Sequence, residues 1–71
     1  MDIELYLVYD YFKLFKKWFD TIEKLIEEIE GTEKLPPDYK SAIIQMINNK
    51  KEDTKQVTFL ADDIKLNIVF K

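Results

Sequence analysis

Between Asp2 and Gly31 the apolar residues recur in steps of three and four, and no other feature constrains the fold as strongly. Leu5, Val8, Phe12, Phe15, Phe19, Ile22, Ile26 and Ile29 form an unbroken 3-4-3-4 series over almost four heptads. On an α-helix these eight positions fall within roughly 120° of the circumference. Leu7, Tyr11, Leu14, Trp18 and Leu25 widen the stripe to about half the cylinder, broader than the a/d seam of a two-stranded coiled coil. The opposite side carries Asp10, Lys13, Lys16, Lys17, Asp20, Glu23, Lys24, Glu27 and Glu28. Lys16–Asp20, Asp20–Lys24 and Lys24–Glu28 would be i,i+4 pairs of opposite sign, each worth a few tenths of a kcal/mol. Asp2 can cap the start of such a helix, and Gly31 can stop it.

The first part of this stretch also fits another period. Ile3, Leu5, Leu7 and Tyr9 alternate with Glu4, Tyr6 and Val8, and the run is rich in β-branched and aromatic residues. The alternative is therefore a strand over residues 3–9, a break at Asp10, and a helix from about Tyr11 to Glu30. The unbroken heptad through Leu5 and Val8 favours the continuous helix.

The remainder divides more simply. Gly31 to Pro37 is a connection of ordinary length between helices. Pro37 suits the first turn of a second helix, where a missing N–H costs nothing, and Asp38 there complements the helix dipole. This helix is expected over about Pro37 to Asn49. Tyr39, Ala42, Ile43, Met46 and Ile47 make its apolar stripe, with Ile44 at the edge. After the polar run Asn48 to Asp53 the period changes to two. A two-residue turn at Asp62-Asp63 places Ala61 opposite Ile64, Phe59 opposite Leu66 and Val57 opposite Ile68, all on one face. A one-residue slip would destroy that agreement. The expected fold is α+β: a long N-terminal helix, a shorter second helix and a C-terminal β-hairpin, the alternative adding a strand at 3–9 to the hairpin. With 71 residues the chain forms one small domain, 1–71.

Composition removes several functions. There is no cysteine and no histidine, so disulfides, thiolate metal sites, and the commonest zinc ligand and general base are absent. Ser41, the one serine, lacks a sequence partner to activate it. Glu23 with Glu27, Glu27 with Glu30, and Asp62 with Asp63 read as solvated surface rather than as acid–base pairs or a cation site. The single glycine offers no phosphate loop. No enzymatic activity, cofactor or metal is expected. All eleven basic residues are lysine and the net charge is −3, which argues against direct nucleic-acid binding. No apolar run is long enough to span a bilayer, and the acidic amino terminus does not resemble a secretory leader, so a cytoplasmic location is expected. Arginine-free usage rich in Ile, Lys and Asn is what an AT-rich genome encodes, pointing to a low-GC bacterium, an archaeon or one of their viruses.

Two features suggest partners. Tyr6 and Tyr9 lie on the polar side of a continuous first helix, with Tyr11 and Trp18 at the edge of its stripe, an aromatic set typical of interfaces. Glu23, Glu27, Glu28, Glu30 and Glu33 crowd the carboxyl end of the same helix, where the dipole disfavours negative charge. The expected function is a non-enzymatic protein–protein interaction module, homodimeric through Tyr6, Tyr9, Tyr11 and Trp18 or through a hairpin edge. The alternative is a small acidic inhibitor of viral or mobile-element origin. It would present Glu23, Glu27, Glu28 and Glu30 to a basic or nucleic-acid-binding surface of a host protein.

Overall fold

A computed structural model describes residues 2–9 and 13–71. Six elements follow one another: strands β1 (Ile3–Tyr9) and β2 (Lys13–Phe19), helices α1 (Ile22–Gly31) and α2 (Pro37–Asn48), and strands β3 (Gln56–Leu60) and β4 (Ile64–Phe70). The strands form one antiparallel sheet in the order β2-β1-β4-β3. Both helices pack on one face of it. The class is α+β, and the N-terminal strand of the alternative reading is present.

The continuous first helix is not formed. Its stretch divides into β1, β2 and α1. Steps of four satisfy a helix and a strand equally, because four residues are close to one helical turn and are also an even number of strand positions. Only the steps of three separate the two periods. Leu5 and Val8 fall on opposite faces of β1, with Leu5 buried and Val8 half-buried on the outer side. Phe19 and Ile22 straddle the boundary between β2 and α1, and Phe12 lies outside the described residues. The β-branched and aromatic content of Ile3–Tyr9 favours the extended form. Long-range pairing then decides, since β1 is bonded on both sides, to β2 and to β4. The alternative's helix from Tyr11 also starts too early, since Lys13–Phe19 is a second strand and the helix opens at Ile22.

Helix α1 begins where Thr21, in an extended conformation, accepts the Lys24 backbone N–H on its Oγ1 at 3.2 Å. Its buried residues are Leu25 and Ile29. It ends without using the freedom of glycine. Gly31 is the last helical residue, with no left-handed backbone angle. The end is closed by Thr32, whose N–H donates to Ile29 O at 3.2 Å and whose hydroxyl donates to Glu28 O at 2.7 Å. Nor does Asp2 cap a helix: its carbonyl accepts the Lys71 N–H at 2.9 Å, across the ends of β1 and β4. Helix α2 follows its expectation, with Pro37 and Asp38 in the first turn and Ile43 and Ile47 buried. Met46, expected in the apolar stripe, is exposed.

The C-terminal hairpin has the expected register. Val57 pairs with Ile68 and Phe59 with Leu66, and the Ala61 N–H donates to Ile64 O at 2.8 Å across the Asp62-Asp63 turn. The core lies between sheet and helices. Ile3, Leu5 and Leu7 of β1, Phe19 of β2, Val57 of β3 and Ile64, Leu66, Ile68 and Phe70 of β4 meet Leu25, Ile29, Leu35, Ile43 and Ile47.

Candidate interaction surface

Among the described residues no helix lies over the second face of the sheet. Register places its side chains in three rows. Trp18, Glu4, Val69 and Gln56 form the first, Lys16, Tyr6, Asn67 and Thr58 the second, and Leu14, Val8, Lys65 and Leu60 the third. The first row holds a buried acid. Glu4 is only 3% exposed, although it is on the face without helices. Lys71 Nζ lies 3.0 Å and Lys16 Nζ 3.3 Å from its two carboxylate oxygens. Lys71 Nζ also stands 4.5 Å above the Trp18 ring, and Lys16 Nζ 5.2 Å from the centre of Tyr6. The lysine stems and the Trp18 ring thus roof the carboxylate. Desolvation raises its pKa, but hydrogen bonds and charge from Lys71 and Lys16 together outweigh that and hold the group below its ordinary value. In the second row Asn67 Oδ1 accepts from Gln56 Nε2 at 2.8 Å and from the Thr58 hydroxyl at 2.9 Å, tying β3 to β4 by side chains.

Backbone directions at the two edges follow from three hydrogen bonds. Residues along an antiparallel strand point their N–H and C=O to alternate sides. Lys71 N–H donates to Asp2 O, so even-numbered residues of β1 face β4 and odd-numbered ones face β2. On β2 the groups of Leu14, Lys16 and Trp18 then point away from the sheet. Phe70 N–H donates to Lys55 O and Ala61 N–H to Ile64 O, both at 2.8 Å. On β3 the groups of Gln56, Thr58 and Leu60 therefore point away.

Four large apolar side chains are exposed among the described residues: Leu14 (64%), Trp18 (50%), Met46 (37%) and Leu60 (67%). Leu14 and Trp18 belong to β2 and Leu60 to β3, all three on the outer face. Met46 is on α2.

The aromatic set does not form one surface. Tyr6 and Trp18 stand on the outer face. Tyr9 is on the helix face, half-buried against the core, with Lys34 Nζ 5.6 Å from its ring centre. Tyr11 lies outside the described residues. The glutamates do share α1. Glu23, Glu27 and Glu30 are exposed, while Glu28 is half-buried and ion-paired to Lys17 of β2. Of the three i,i+4 ion pairs expected on a continuous helix, Asp20–Lys24 forms, at 3.2 Å, across the start of α1. Lys16 turns to Glu4, and Glu28 to Lys17. An open groove of about 620 Å³ runs between β2 and α1, lined by Lys17, Lys24, Asp20, Glu27, Glu28 and Phe19 among others. Its two lysines are engaged, Lys17 with Glu28 and Lys24 with Asp20, and Asp2 and Glu27 leave the lining with a net negative charge.

Reading the chain as a helix missed two features. Glu4 is the one charged residue within Ile3–Tyr9, and an acid on the central strand of a sheet requires counter-charges beside it. Leu60, like Val69, breaks the polar side of the hairpin, and that irregularity is visible in the sequence. No helix among the described residues is long and apolar enough to cross a membrane. No protein-family model, curated protein or solved structure matches the chain.

Proposed function

We propose that the protein is a non-enzymatic protein–protein interaction module that acts as a homodimer. One observation carries this reading. The exposed large apolar side chains fall at the two edges of the sheet, Leu14 and Trp18 on β2 and Leu60 on β3 with Met46 on the helix beside it. A second copy seated on one edge would remove that edge's pair from water.

Light scattering on a sizing column, across a range of concentration, tests the reading. The expected mass is twice the 8.6 kDa of the chain. Reversing Glu23, Glu27 and Glu30 to lysine should leave that mass unchanged. A chain that stays monomeric at every concentration overturns the homodimer. A dimer that dissolves on glutamate reversal moves the interface to the acidic side of α1, where the acidic-inhibitor reading would place its contacts.

A further inference from the structure

We infer that the second copy joins along β3, pairing β3 with its two-fold mate so that two four-stranded sheets become one of eight strands. The inference rests on the homodimer reading above and names the surface that performs it. Among the described residues β3 is bonded to β4 alone. The backbone groups of Gln56, Thr58 and Leu60 point outward, as an added strand requires.

The residues of β3 are complementary to themselves. An isologous antiparallel pair has a two-fold axis, and the register with fullest overlap of Gln56–Leu60 puts Thr58 on it. Thr58 then faces Thr58 of the partner subunit, a favourable cross-strand pair. Val57 faces the partner's Phe59 on the helix side, a β-branched residue against an aromatic one. Gln56 faces the partner's Leu60 on the outer side. No like charges meet anywhere along the strand. Just beyond its start, Lys55 comes opposite the partner's Ala61, next to the Asp62-Asp63 turn, so opposite charges meet twice across the axis.

Helix α2 adds a second layer. Tyr39, Ala42 and Met46 occur at i, i+3 and i+7 and so share one flank. Tyr39 touches Phe59, with ring centres 5.3 Å apart, so this flank overhangs β3. The other flank turns to α1, where Lys40 Nζ donates to Glu30 O at 2.7 Å. Met46 is therefore exposed above the β3 edge, as Leu60 is exposed on its outer side. A second copy seated along β3 would cover both.

Two substitutions and a cross-link test this. Thr58→Pro removes an outward N–H from an edge strand, where proline is tolerated, and leaves the backbone ladder to β4 intact while removing the Thr58–Asn67 side-chain bond. Leu60→Lys places a charge at the edge and does not touch the backbone. Both variants should give monomer mass with unchanged circular dichroism. Thr58→Cys introduces the only thiol, and paired strands bring two such residues within disulfide reach. It should oxidise to a covalent dimer, whereas Leu14→Cys, on β2, should not. A wild-type dimer that survives both Thr58→Pro and Leu60→Lys overturns the β3 interface but leaves the homodimer reading standing. A monomeric wild type overturns both. If Thr58→Pro fails to fold, Leu60→Lys and the cross-link decide.

Discussion

Strand β2 closes one side of the sheet with Lys13, Lys16 and Lys17 among its seven residues; strand β3 closes the other with Gln56, Val57, Thr58, Phe59 and Leu60. A bare edge invites pairing with any extended chain, and proteins guard against this with lysines and with charges turned inward. Strand β2 has both devices. Lys16 is held on the outer face by Glu4, and Lys17 points to the helix side and pairs with Glu28. Self-pairing of β2 in full overlap would set Lys16 against its own two-fold mate, a destabilising contact. Strand β3 carries no charge. It is short, which also limits pairing, but nothing along it repels a copy of itself. The two edges differ in what they exclude rather than in how much apolar surface they expose. Leu14 and Leu60 are about equally bare.

The largest effect on both edges should come from the middle of the sheet. Both edges depend on β4, which pairs with β3 directly and with β1, the strand that carries β2. Ile68 is fully buried there. Ile68→Ala should cost about 2–5 kcal/mol, read as a fall in the urea midpoint, and should abolish the dimer together with the fold. If the midpoint scarcely moves, the core is assigned wrongly.

A smaller loss should follow Thr21→Ala, which removes the cap of the helix beside β2 and costs about 1 kcal/mol. The dimer should persist, because α1 is remote from β3. Thermal melts with mass measurements check both parts, and a monomeric Thr21→Ala chain would mean that the β2 side carries the contact.

Acid should act through the β2 side as well. The carboxyl of Glu4 is held below its ordinary value of 4.5, so its contribution to stability is complete above that pH. The contribution is lost as pH falls through the lower, folded-state value, because protonation releases Lys16 and Lys71. Denaturation curves between pH 6 and pH 3 should therefore show stability declining below about 4.5. Glu4→Gln should start less stable at pH 6 and decline less. Equal declines in the two proteins would remove Glu4 from the account.

The mildest change to the monomer is the sharpest test of the guarding argument. Lys17→Thr should alter stability by no more than about 1 kcal/mol, since it removes one partly exposed ion pair. It also takes the inward charge from β2. Light scattering should then show species larger than a dimer as concentration rises, because β2 could pair with another copy in registers that keep Lys16 from its own mate. A mass unchanged from wild type would show that Lys17 guards nothing.

How much of this was legible in the sequence depended on how many periods each segment satisfied. The C-terminal hairpin fits only one. Val57, Phe59, Ala61, Ile64, Leu66, Ile68 and Phe70 share a face only as strands joined by a two-residue turn, and the observed register follows. Helix α2 was equally clear from Pro37 and the Tyr39–Ile43–Ile47 spacing. The first thirty residues were ambiguous because steps of four suit both periods. The three residues between Tyr9 and Lys13 also include no glycine, proline or asparagine to signal a break in the sequence. The error carried over to the site. Helical geometry groups Tyr6, Tyr9 and Trp18, whereas the sheet sends Tyr9 to the opposite face. The edge strand β3 required knowledge of the strand order, which no local pattern encodes, although Leu60 was a visible exception to its own alternation.

Amide hydrogen exchange by NMR on the unmodified protein tests the central contrast most directly. The outward N–H groups of Gln56, Thr58 and Leu60 can be compared in one sample with those of Leu14, Lys16 and Trp18. Protection at Thr58 and Leu60 should rise with protein concentration, while Leu14, Lys16 and Trp18 continue to exchange rapidly. Protection that instead grows on β2, or on neither strand, would contradict the account.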